Sequence, residues 1–171
     1  VVPGAVQLDV AAREGITRQT LTAIARVLRM THDRGVSHRD LKAPNILLAN
    51  GTDPVLIDLV GVRTQVRLTV AKRAKELARL NASFVHNPAV SRTARLRFLL
   101  AYLSASPRLY ATEVDWKSWW KRIAAATRVS NYDDLVASGH LFELLVHRVV
   151  SNPVPTTEPG LLNCSTNGTT L

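Results

Sequence analysis

The ten residues Val36-Ser37-His38-Arg39-Asp40-Leu41-Lys42-Ala43-Pro44-Asn45 concentrate side chains that can do chemistry. Asp40 is a carboxylate able to accept or orient the proton of an attacking hydroxyl. Lys42 adds a cation able to offset negative charge that develops on a reacting group. Asn45, and Asp58 thirteen residues later, offer oxygen ligands from two separate elements, the set a hard cation such as Mg²⁺ takes beside phosphates. Arg39 reads as a structural residue and His38 as a packed residue that supports the loop. Each of these is ordinary alone. Six specified types at fixed spacing, followed by an acidic residue at the end of a strand, are a specific signal.

Such a loop needs elements on either side to hold it. Thr17, then Thr20, Leu21, Ile24, Ala25 and Leu28, pair a capping hydroxyl with apolar positions three and four apart, which predicts a helix over 18–33 ended by Gly35. Ile46-Leu47-Leu48, the turn Asn50-Gly51 and Val55-Leu56-Ile57 predict two short strands joined tightly. Helical patterns follow over 71–81, 92–103, 114–126 and 141–150, separated by Pro88, Pro107 and Gly139. Residues 151–171 hold clustered Pro, Ser, Thr and Asn and are expected to be a disordered tail. The fold class expected is α+β, mostly helical, with a short β unit beside the reactive loop.

The 171 residues are 46% hydrophobic and 20% charged, which excludes disorder throughout and suits one domain with a real core. The single cysteine, Cys164, allows no internal disulfide, and no Cys/His group has zinc spacing, so a reducing, cytoplasmic environment fits best. No apolar run approaches the ~20 residues that span a bilayer, and no signal peptide is visible at the start. The chain begins at Val1 and its only methionine is Met30, as expected of a fragment. The net charge of +9 is concentrated in the middle, where residues 61–128 carry 14 Lys/Arg against 3 Asp/Glu. That field would gather anions, although solvated helix faces account for it equally well. No nucleic-acid module or interleaved aromatic pattern accompanies the charge, so nucleic acid is not expected as a partner.

The spacing His-Arg-Asp-Leu-Lys-x-x-Asn resembles the catalytic loop of protein-kinase-like phosphotransferases. Within that superfamily the chain most closely resembles the lipopolysaccharide kinases, over roughly residues 1–128. Leu56-Ile57-Asp58-Leu59-Val60-Gly61 resembles that family's metal-binding segment. Residues 77–83 and 91–99 resemble its helical continuation. The resemblance implies a kinase-like C-terminal lobe over 1–128, with catalytic loop 36–45 and metal segment 56–61, then a C-terminal helix over 129–150 and the tail. It implies ATP and Mg²⁺ as cofactors, Asp40 and Lys42 as catalytic residues, and Asn45 and Asp58 as metal ligands. Leu47 and Ile57 would form the floor under the adenine, a role no easier to assign than strand core.

The departures from ordinary protein kinases are informative. Asp58 is followed by Leu59-Val60 and not by Phe-Gly, and the Ala-Pro-Glu segment that closes a protein kinase's activation loop is absent, which argues against a peptide substrate. No Gly-x-Gly pair occurs, and no strand lysine precedes the loop. The N-terminal lobe is therefore expected to be missing from these residues and to belong to the same parent chain, with little turnover from this piece alone.

The implied acceptor is a lipid-linked, phosphorylated core sugar, met by a cytoplasmic protein that can sit peripherally at the inner membrane. In a kinase fold Arg63, Arg67 and Lys72, with Arg73, Lys75 and Arg79 behind them, would lie at the acceptor mouth. Trp116, Trp119 and Trp120 share one helix face, read either as core or as an aromatic surface at a membrane. Two other functions stay open: a Ser/Thr protein kinase-like enzyme, and a non-catalytic lobe that binds an anionic partner.

Overall fold

The computed structural model describes residues 3–105 and 115–137, with side chains described as far as 128. The element order is β1 (Val6–Gln7), α1 (Leu8–Ala11), α2 (Arg18–Asp33), β2 (Val36–Ser37), β3 (Ile46–Ala49), β4 (Asp53–Leu56), β5 (Arg63–Thr64), α3 (Val70–Ala82), α4 (Arg92–Ser104) and α5 (Trp116–Ala137). The architecture is α+β, mostly helical, as the periodicity predicts. The expected helix over 141–150, the tail over 151–171 and the Pro107 break lie outside the described residues.

Three helices start at hydroxyl caps, of which Thr17 is the one expected from the sequence. Thr17 accepts the Thr20 N–H at 3.1 Å, Thr69 the Lys72 N–H at 3.3 Å and Ser91 the Ala94 N–H at 3.1 Å. The apolar stripes of α2 and α3 meet α4 and α5 in one core around Ile24, Leu28, Leu77, Leu99 and Leu103. α5 runs past the expected end at residue 126, because no Gly or Pro stands between there and Gly139. Trp119 is buried and its ring meets Tyr102 at 6.0 Å, while the half-buried Trp120 lines an apolar cavity of about 50 Å³ beside Leu77 and Leu99. Trp116 is the one of the three that is exposed, so two of the three tryptophans serve the core. No described helix is long and apolar enough to cross a membrane.

Two small antiparallel sheets carry the reactive segments. The first has the order β1-β3-β4, with Leu47 opposite Val55 and Ile46 opposite Leu56. Its hairpin turns at Asn50 and Gly51, both at positive φ (50° and 78°), as a tight connection between twisted strands requires. The second sheet pairs β2 with β5, placing Ser37 opposite Arg63.

Gly35 joins α2 to β2 at φ 75°, and a Cβ there would lie 1.8 Å from the Gln65 carbonyl oxygen. The same strands are bound there by the Gln65 N–H to the Gly35 carbonyl at 2.9 Å. Gly35→Ala is therefore expected to destabilise the chain by about 2 kcal/mol or more, through both strain and displacement of β5. Thermal melting checks this, and a melting temperature equal to that of the unmodified chain would contradict it.

Candidate functional site

The reactive loop leaves β2 at Ser37 and reaches β3 through a single 3₁₀ turn over Ala43–Asn45. Leu41 and Ala43 are fully buried and hold the loop from beneath, and the Ala43 N–H donates to the Ser83 hydroxyl at 3.1 Å. Between these anchors the polar side chains converge. Lys42 Nζ lies 3.2 Å from Asp40 Oδ1, and the Asn45 amide donates to the Asp40 carbonyl at 2.9 Å and to Asp40 Oδ2 at 3.3 Å. Asp40 and Lys42 are both about half exposed, so the pair adds little stability and stays reachable by a substrate. Asn45 spends its amide N–H on Asp40, leaving its Oδ1 as the atom able to meet a cation.

The second segment is tied to the first by backbone. The buried His38 donates from Nε2 to the Ile57 carbonyl at 2.8 Å, and the Ile57 N–H donates to the Asn45 carbonyl at 3.0 Å. These bonds fix Asp58 beside the loop. Asp58 sits in the left-handed region (φ 55°, ψ 60°), a conformation that costs a non-glycine residue about 1 kcal/mol. Its exposed carboxylate takes no hydrogen bond or ion pair from any described residue. Gly61 packs on Arg39, whose carbonyl accepts from the Arg79 guanidinium, so Arg39 is held mainly through its backbone.

A buried network stands behind the loop. Glu76, on α3, accepts the His38 N–H at 3.0 Å and the Ser37 hydroxyl, and His32 Nε2 lies 3.3 Å from it. On the other side of His32, Nδ1 meets the Tyr102 hydroxyl at 2.7 Å. Burial by itself would push the Glu76 carboxyl up. The hydrogen bonds from His32, Ser37 and the His38 N–H, with the charge of His32 when protonated, outweigh that and hold it below the ordinary Glu value. Nearby, Asp33 receives Arg73 at 2.7 Å and Arg29 at 2.9 Å, and the fully buried Arg29 places its guanidinium over the Tyr102 ring.

The structure brings Asp40, Lys42 and Asn45 together and binds the Asp58 segment to them through His38. Leu47 lies on the sheet face opposite the core-facing Ile46 and Leu48, and Ile57 is half-buried. Arg63 stands on β5 across from Ser37, Arg67 is exposed, and Lys72 is exposed with its ammonium on the Gln65 side chain at 2.8 Å. Two members of the expected basic face belong elsewhere. Arg73 is buried against Asp33 and the His32 carbonyl, and Arg79 is committed to the Arg39 carbonyl.

Sequence reading missed Glu76, His32, Arg29 and Tyr102. Arg29 and His32 continue the apolar stripe of α2 at four-residue steps from Ala25 and Leu28, and Glu76 lies on the stripe of Leu77 and Leu80. A charged residue on a buried face was the available signal.

The donor set suits a phosphate-bound Mg²⁺. Among the described residues no three His, Cys, Asp or Glu side chains cluster as a metal cage. Mg²⁺ typically takes one or two protein oxygens and completes its shell with phosphates and water, and Asn45 with Asp58 offers that number.

No curated protein matches the chain. The model of one family does match, the lipopolysaccharide kinase (Kdo/WaaP) family, over residues 4–102. That span runs from the approach to β1 to Tyr102 in α4 and contains the loop, the Asp58 segment and the whole Glu76 network. The chain belongs to the lipopolysaccharide kinase (Kdo/WaaP) family.

Proposed function

We propose that the chain carries the phosphoryl-transfer site of a kinase that uses ATP and Mg²⁺ to phosphorylate a hydroxyl of a lipopolysaccharide core sugar. The observation that carries this reading is the convergence of Lys42 and Asn45 on Asp40, with the Asp58 segment bonded to the same loop. Asp40 orients the acceptor hydroxyl and takes its proton as the new O–P bond forms and the bond from the γ-phosphorus to the bridging oxygen breaks, with ADP leaving. Lys42 holds the Asp40 carboxylate in place and offsets negative charge on the transferring group. Asn45 Oδ1 and the Asp58 carboxylate would hold Mg²⁺, which when bound neutralises phosphate charge. Leu47 and Ile57 would lie under the adenine, as the apolar face of the small sheet.

The acceptor reading rests on the family and on charge. Between Asp58 and Glu76 the sequence has no acidic residue, and Arg63, Arg67 and Lys72 are exposed there. These cations suit the phosphates of a lipid-linked sugar, and such an acceptor places the protein at a membrane surface from the cytoplasmic side. The test uses the chain extended to the start of its reading frame, with ATP, Mg²⁺ and a phosphorylated core oligosaccharide. Reversal of Arg63 and Arg67 to Glu is expected to raise the acceptor KM roughly tenfold or more while leaving the ATP KM unchanged. An unchanged acceptor KM, or faster transfer to a peptide than to the sugar, would overturn the acceptor assignment.

A further inference from the structure

The stretch between the Asp58 segment and α3 combines features that an isolated soluble surface does not need. Val60 and Val66 are essentially bare, at 96% and 105% exposure, and Leu59 is 60% exposed. Arg63 and Arg67 alternate with them and are exposed as well. Exposed apolar side chains are common singly, but here they recur within eight residues and flank cations.

Their exposure belongs to an anchored segment. β5, at its middle, is hydrogen-bonded to β2, and Gln65 is held from two sides, by the Gly35 carbonyl at 2.9 Å and by Lys72 at 2.8 Å. Leu68 closes the segment by entering the core. A pinned segment that shows Val60 and Val66 outward, with Arg63 between them and Arg67 after, has the composition of an interfacial membrane element: apolar side chains enter the boundary between headgroups and acyl chains, and basic ones are drawn to the anionic surface.

We propose that residues 59–67 form a membrane-docking element that seats on an anionic lipid bilayer, with Val60 and Val66 entering the interface and the charge of Arg63 and Arg67 drawing the segment to that surface. The proposal builds on the lipid-linked acceptor reading and names the surface that meets the lipid. It moves the membrane face from the tryptophans of α5, two of which serve the core, to the segment that follows Asp58.

The test is sedimentation of the 171-residue chain with vesicles, without nucleotide or sugar, so that it reads docking even if the phosphoryl-transfer reading fails. Vesicles of phosphatidylcholine with about one-third phosphatidylglycerol are compared with pure phosphatidylcholine at about 0.1 M salt. The chain is expected to partition onto the anionic vesicles, and the double variant Val60→Asp, Val66→Asp to bind at least about tenfold more weakly. Trp116→Ala should bind like the unmodified chain. Both valines are bare, so the double variant should melt like the unmodified chain. As a second reading, a Val66→Cys variant in a Cys164→Ser background, labelled with an environment-sensitive dye, should shift to the blue on anionic vesicles. Absence of binding to anionic vesicles, equal binding by the valine variant, or an unshifted dye would each overturn the proposal. The first outcome would point to a protein partner for this surface, and the second to diffuse charge attraction.

Discussion

Asp40→Ala is expected to reduce phosphoryl transfer by about 10² or more while the chain still folds. The carboxylate is the atom pair on which Lys42 and the Asn45 amide converge, so its removal takes away the proposed proton acceptor and releases both neighbours. Its side chain is half exposed, so the loss of stability should stay within about 1 kcal/mol. Asp58→Ala should cost activity on the same scale through loss of a proposed cation ligand, and should show it as a raised Mg²⁺ requirement. Asp58→Gly separates the two properties most clearly: activity falls, yet stability rises by up to about 1 kcal/mol, because glycine accepts the left-handed backbone without strain. Steady-state kinetics over a Mg²⁺ series, run beside thermal melts on the chain extended to the start of its reading frame, tests all three. Full activity of the Asp40 variant would remove the assignment.

The second large effect lies behind the site. Glu76→Ala is expected to destabilise the chain by about 3–5 kcal/mol, enough to unfold much of a population with ordinary domain stability. The loss is not that of one contact. The Ser37 hydroxyl, the His38 N–H and the His32 ring would all be left buried without their shared acceptor, and such groups cost about 1–3 kcal/mol each. Acid should act in the same direction. A Glu held below its ordinary value contributes stability that is present in full above the unfolded-state value and is lost as pH falls through the folded one. Urea midpoints measured downward through the acid range should therefore fall more steeply in the unmodified chain than in Glu76→Gln, which has no such proton to take up. The groups facing the carboxylate are His32, Ser37 and the His38 backbone, with Tyr102 behind His32. Parallel curves for the two proteins would show that Glu76 does not govern the acid limb.

Much of the site was legible because its residues are contiguous. A loop of ten residues and one acidic residue beyond a hairpin can be read from spacing, and the hairpin announced itself through Asn50 and Gly51. The helices were legible through the cap at Thr17 and through apolar repeats. The rest required contacts distant in sequence. β1, β2 and β5 are two residues each, too short for any period; β1 pairs with β3, and the pairing of β2 with β5 is set by Gly35 and by the path of the chain after Asp58. The Glu76 network joins residues up to 70 positions apart, and its members are polar side chains on buried faces, which a solvent-facing reading of polarity assigns to the wrong side. Arg73 shows the error clearly: it sits in a basic run, yet it turns inward to Asp33. The tryptophans divide for a similar reason. Their shared helix face is real, but a helix that packs at one edge buries Trp119 and leaves Trp116 outside.

Asp58 has one more consequence, which is evolutionary. It occupies a left-handed backbone position with an unpartnered carboxylate, so the fold gains nothing from it and would gain from glycine. Aspartate and glycine codons differ by a single nucleotide. A lineage selected for folding alone would make that exchange early, long before it lost Glu76, whose removal would cost it the fold itself. On the proposed role of Asp58 as a cation ligand, descendants released from that role should then carry glycine at 58 while still keeping glutamate at 76.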